Sequence, residues 1–155
     1  MNRRGLTGIV TGWLLIGASA LAQDYIPGKV EIPFNRYYDY AQLLDHLARI
    51  EAAYPELVRL EKIGRSTQGR DLVVAIVNAP RTGADRDKPA MWIDANVHGN
   101  EIQGAEVVLY SVWYLTKAYG VNAALTELLD AKSFYFLPSQ NPDGRDWWLH
   151  QPNNS

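Results

Sequence analysis

The stretch Met91-Trp92-Ile93-Asp94-Ala95-Asn96-Val97-His98-Gly99-Asn100-Glu101 constrains this chain more than any other. It opens as a short apolar run of strand length and breaks at His98-Gly99-Asn100. From Ile102 it passes into a segment with helical apolar spacing. A strand that turns directly into a helix delivers its connecting residues to the carboxyl edge of a sheet, where α/β folds bind ligands. His98 and Glu101, three apart, are of metal-ligand type. An imidazole nitrogen and a carboxylate oxygen suit Zn²⁺, and catalytic zinc sites commonly combine two His and one Glu with an open position for water. The spacing alone is common. Gly99-Asn100 also reads as a plain turn, with Glu101 complementing the dipole of the helix that follows.

Composition narrows the options. A length of 155 residues suggests one domain. A hydrophobic content of 47% against 21% charged residues supports a packed core and argues against general disorder. The net charge of −2, with no basic run, gives no footprint for nucleic acid. Cysteine is absent, so a zinc site must be built from His, Asp and Glu. Residues 1–22 read as a secretory signal peptide. Arg3-Arg4 precede an apolar run from Leu6 to Leu21, and Ala20-Leu21-Ala22 has the small-x-small form of a cleavage site, with Gln23 as the mature start. Gly8, Gly12 and Gly17 interrupt the run, which favours cleavage over a retained anchor. The expected location is secreted or periplasmic, with no stable membrane span after cleavage.

Residues 23–36 carry Pro27, Gly28 and Pro33 and read as an extended lead-in. Asp39 is placed to cap a helix from Tyr40 to Ala53, with Leu43, Leu44, Leu47 and Ile50 as its buried stripe and His46 at the surface or rim. Leu57 to Ile63 alternates as a half-buried strand, and Leu72 to Val77 is continuous and β-branched like a buried one. The short turn between them makes a hairpin. Ala79 to Pro89 reads as an exposed loop. Helices are expected at Ile102–Ala118 and from about Asn122 to Ala131, then a strand from Ser133 to Pro138. Strand, helix and strand in that order form a crossover, so this pair is expected parallel. Asn141-Pro142-Asp143-Gly144 reads as a turn with Asp143 as turn former. Trp147 and Trp148 line a cleft or serve as packing. Glu106 is placed on the solvent side, and Asp94 is weighed as a partner for a ligand imidazole.

Four segments now stand in a particular order: Ile63-Gly64-Arg65-Ser66 through Gln68-Gly69-Arg70, Asn96 to Glu101, the helix after it, and Asn141 to Gly144. With that order and spacing the chain resembles the N-terminal half of a zinc metallocarboxypeptidase, the family of carboxypeptidases A and B and their bacterial relatives. The resemblance runs from Tyr37 to Gly144, within a domain portion of residues 37–155. It implies an α/β fold with a mixed, mostly parallel sheet flanked by helices, incomplete in this chain. It implies that His98 and Glu101 are the first two zinc ligands. The third ligand, the catalytic glutamate that acts as general base, and the substrate-binding residues are expected beyond Ser155, with His150 too close to Glu101 to serve and Arg145 matching none of them. Asn100 stands where many pancreatic-type members carry a substrate-contacting arginine, so side-chain preference does not transfer. The chain is therefore expected to be a fragment of a longer reading frame, inactive alone.

Three functions compete. The first is an exported zinc exopeptidase that releases C-terminal residues from a peptide or protein substrate. The second is a zinc amidase or esterase of the same fold, acting on a cell-wall peptide or an acylated amino acid. The third is an inactive secreted binding domain.

Overall fold

A computed structural model describes residues 26–151. The signal-peptide assignment for residues 1–22 lies outside these. Among the described residues no helix is long and apolar enough to cross a membrane. The first helix, α1 (Tyr40–Ala53), begins where Asp39 completes a reciprocal cap: its carboxylate accepts from the Gln42 amide at 2.8 Å, and the Gln42 side chain accepts from the Asp39 amide at 3.1 Å. Leu43, Leu47 and Ile50 are fully buried. Burying each such side chain is worth roughly 1.5–3 kcal/mol. His46 sits on the same stripe and is buried too, against the sequence expectation. The helical repeat places it between Leu43 and Ile50, and its ring packs edge-on to Tyr38 at 4.4 Å.

Strands β1 (Val58–Arg65) and β2 (Asp71–Val77) form the expected antiparallel hairpin. Their register shifts between Lys62 and Gly64, and Ile63 in that bulge is exposed, so its place on the buried side of the alternation is lost. Only Val74 to Val77 of β2 are buried. The segment after β2 contains two short 3-10 turns and is anchored by Lys88, whose ammonium donates to the Ala79 and Leu129 carbonyls and to the Thr82 hydroxyl. Strand β3 (Ala90–Asp94) leads to α2 (Ile102–Ala118), α3 (Ala123–Ala131) and β4 (Ser133–Leu137), and β3 pairs with β4 in parallel. Asn122 caps α3.

The sheet order is β1-β2-β4-β3. The expectation of a mostly parallel sheet is corrected here. β4 inserts between the hairpin and β3 and runs opposite to β2, so β1–β2 and β2–β4 are antiparallel and only β3–β4 is parallel. Local turns dictate the hairpin and the crossover, but not which neighbour β4 takes on its other side. β3 is an edge strand rather than the buried one its composition suggests, with Met91 and Trp92 both exposed.

The chain closes with α4 (Pro142–His150). Asn141-Pro142-Asp143-Gly144 is thus the start of a helix and not a closing turn. Asn141 accepts from the Gly144 amide at 2.8 Å, and Pro142 occupies the first helical turn, where a missing N–H costs nothing. Asn-Pro-Asp-Gly suits a turn and a helix start equally, which is why the residues alone do not separate them. The core lies on one sheet face, where Ala75, Val77, Phe134 and Phe136 meet Leu43, Leu47, Val108, Leu109 and Val112. The lead-in joins it through Val30 and Ile32, and the Trp113 indole donates to the Val30 carbonyl at 2.8 Å.

Candidate metal centre

β3 and β4 end side by side and their continuations stay paired beyond the sheet. Ala95 donates to the Leu137 carbonyl, Gln140 to the Ala95 carbonyl and Asn141 to the Asn96 carbonyl. The two chains then part into α2 and α4. The loop carrying His98 and Glu101 is the one that rises from β3 into α2, at the carboxyl end of both parallel strands. Glu101 holds the N-cap position of α2 but does not cap it. Its carboxylate turns back to His98 instead. Oε2 accepts from the His98 amide at 3.2 Å, and Oε1 lies 3.0 Å from the His98 Nδ1. The hydrogen bonds from the His98 ring and then from its amide hold the Glu101 carboxyl below its ordinary value. The His98 side chain is 74% exposed and that of Glu101 48%. The sequence-predicted pair is therefore together, convergent and open to solvent.

The structure backs this loop on two sides. Gly99 lies against the backbone of Gly144 in α4, so closely that a Cβ on residue 99 would fall 2.6 Å from the Gly144 carbonyl. Gly144 in turn has no room for a side chain because of the Asn141 amide. No side chain fits at residue 99 without moving α4 from the loop, and one at residue 144 would displace the Asn141 side chain from its cap. On the far side of α4, Asp143 accepts from the Ser66 hydroxyl at 2.8 Å, the Gln68 amide at 2.9 Å and the Arg70 guanidinium at 2.7 Å. Burial pushes the Asp143 carboxyl up, but those donors outweigh it and hold it below the usual range. Arg70 also reaches Asp146 at 3.0 Å. The two sequence motifs around Arg70 and Asp143 thus pin each other, and Asp143 serves as an anchor as well as a former of the first helical turn.

Other candidates separate from the pair. Asp94 accepts from the Trp92 indole at 2.8 Å, which engages it on the sheet rather than behind an imidazole. His150 Nδ1 lies 2.8 Å from the Asp146 carbonyl within α4, and His46 is in the core. Among the described residues no group of three or more His, Cys, Asp or Glu could hold a metal ion. Two donors of the right chemistry are present at one place, so the residues fit zinc as part of a ligand set. Trp147 and Trp148 line an open cleft of about 280 Å³ with Gly99, Asn100 and Gly144, directly beside the pair.

Spacing does not single out Asn96 and Arg145, yet both stand behind the loop. Arg145 is wholly buried, and its guanidinium meets the Tyr38 carbonyl, the Ile102 carbonyl, Asn96 and Glu106. Glu106 is therefore not solvent-side. It turns inward to Arg145 at 2.6 Å and to the Tyr38 amide at 3.0 Å. Burial raises the Glu106 carboxyl despite that pairing. The one sequence signal for Asn96 is its residue type, since asparagine tolerates the left-handed backbone it adopts at φ 56°.

The family pattern for zinc carboxypeptidases matches residues 43–152. The chain belongs to the zinc carboxypeptidase family. It is similar to carboxypeptidase D of Drosophila melanogaster, 34% identical over 126 residues, which covers 76% of this chain and 9% of that protein. It is similar also to carboxypeptidase Z of Mus musculus, 33% identical over 125 residues, covering 79% of this chain and 19% of that protein. Among solved structures, thrombin activatable fibrinolysis inhibitor superposes with a TM-score of 0.69 at 29% identity, over 76% of this chain and 29% of that one. A carboxypeptidase A from Helicoverpa armigera superposes at 0.68 with 18% identity, over 80% of this chain and 29% of that one, a likeness of fold. The chain spans well under two thirds of each relative's length.

Proposed function

We propose that His98 and Glu101 are two protein ligands of a zinc ion, and that the chain forms the metal-binding N-terminal part of a carboxypeptidase acting on peptide or protein C-termini. The observation that carries this reading is the convergence of His98 Nδ1 and Glu101 Oε1 at 3.0 Å on an exposed loop at the carboxyl end of parallel strands, in a chain of this family. Bound zinc polarises a scissile carbonyl and activates water. Within that scheme Glu101 is a ligand and not the general base, because its carboxylate faces the His98 ring across the turn that precedes α2. The third ligand, the base and the group that holds the substrate carboxylate belong to residues outside those described. The signal-like residues 1–22 support export to a periplasm or the exterior.

Zinc titration of the purified chain tests the assignment. Weak, substoichiometric binding is expected, and His98→Ala or Glu101→Gln should weaken it by about tenfold or more. Wild-type affinity in both variants would remove the assignment. Product analysis on peptides with free and blocked C-termini, using the protein that contains this segment, separates an exopeptidase from an amidase or esterase.

A further inference from the structure

We infer that Arg145, acting through Asn96, is a positioning device for the loop that presents His98 and Glu101. The inference rests on the zinc reading only for its metal readout. Asn96 is 3% exposed and sits at the last bend before the loop. Its side-chain oxygen accepts from Ser139 at 3.1 Å and from Arg145 at 3.3 Å. Two donors on that oxygen fix which way the amide faces. The nitrogen must then point to the other side, where it donates to the His98 carbonyl at 2.8 Å and lies 3.4 Å from that of Gly99. One amide thus holds two successive carbonyls of the loop. The His98 carbonyl also accepts the Glu101 amide at 3.0 Å, so the same atom ties both candidate ligands to Asn96.

Arg145 grips the other root of the loop as well. Its Nη1 donates to the Ile102 carbonyl at 2.7 Å, in the first turn of α2, while also reaching Asn96. The guanidinium therefore bridges the residue two before His98 and the residue just after Glu101. A planar, five-donor group can hold two such points at fixed separation, and a lysine cannot. Glu106 and the Tyr38 carbonyl keep the guanidinium itself in place. None of these residues is itself a candidate ligand, and they reach the pair through the loop that carries it.

The test is Asn96→Asp in the full chain. Aspartate keeps the shape and the acceptor facing Arg145 and Ser139, but turns the two carbonyl-facing hydrogen bonds into repulsions. Hydrogen exchange at the Glu101 amide should accelerate by about tenfold or more. Zn²⁺ affinity, followed on the His98 ring signals at a temperature where the variant is fully folded, should fall by about tenfold or more. Asn96→Gly suits the left-handed backbone and still lacks the amide, so it should behave like Asn96→Asp. Thr116→Val, buried in the last turn of α2 and remote from the loop, should leave exchange and zinc affinity at wild-type levels. Wild-type exchange in both Asn96 variants overturns the inference. Should the wild-type chain bind no Zn²⁺, the zinc reading fails, and the exchange result alone decides the positioning role.

Discussion

Phe134 and Phe136 point from β4 toward α1 and α2 and are buried there, stacked at 6.0 Å, while Tyr135 between them points to the opposite face, where its hydroxyl donates to Asp85 at 2.7 Å. On that opposite face Val74, Ile76 and Leu137 form a second, smaller buried cluster. Around them lie Arg59, Glu61 and Arg86, with Ile63 and Trp92 half exposed. One face is a finished core and the other an apolar surface with a charged border. The same contrast holds along the sheet: β1 is bordered by Arg59, Lys62 and Arg65, whereas β3 presents Met91 and Trp92 at an unpaired edge.

Removing the guanidinium from the finished side should have the largest effect. Arg145→Met leaves Glu106 and two backbone carbonyls without their donor, and urea unfolding should show a loss of about 3–5 kcal/mol. Leu109→Ala on the same side should cost about 2–5 kcal/mol. Trp92→Ser on the open face should stay within about 0.5 kcal/mol while reducing concentration-dependent scattering. A Trp92 cost equal to that of Leu109 would mean that the two faces are packed alike. Between Leu109→Ala and Trp92→Ser falls Ser66→Ala, expected to cost about 1 kcal/mol by thermal denaturation, since Asp143 keeps Arg70 and the Gln68 amide.

Acid should probe the finished side through His46. Burial, then the nearby Arg49 guanidinium, pushes its pKa below the ordinary 6.5. The unfolded chain therefore takes up this proton first as the pH falls. Stability should be flat above pH 6.5 and decline below it until the folded-state value is passed. A His46→Gln variant should show a shallower decline in that window when unfolding is measured across pH. An unchanged slope would show that another group carries it.

The elements whose reasons are local were readable from residues: the α1 cap at Asp39, the α1 stripe, the hairpin, the bounds of α2 and the parallel crossover all follow from spacing and capping. The adjacency of His98 and Glu101 was readable too, because a tight turn at Gly99-Asn100 brings residues three apart together, here closed by the Glu101 amide donating to the His98 carbonyl. What depends on distant partners was not. The place of β4 beside β2 and the inward turn of Glu106 toward Arg145 involve residues far apart in sequence, whereas the burial of His46 follows from the helical repeat itself and was there to be read. Asp143 illustrates the boundary. Its fit to the start of a helix or a turn is local, while its bonds to Ser66 and Arg70 bring together segments more than seventy residues apart.

The Tyr40 amide is one of the N–H groups that a helix start leaves without an internal acceptor, and here its acceptor is Asp146 of α4, at 2.8 Å. The earliest helix of the described chain is thus completed by a carboxylate that a ribosome adds more than a hundred residues later. During synthesis α1 can coil and bury its leucines, but its leading end stays hydrated until α4 has emerged. Stopping translation just short of residue 146 should leave the Tyr40 amide exchanging with solvent while the Asp39–Gln42 cap keeps the rest of the first turn in place.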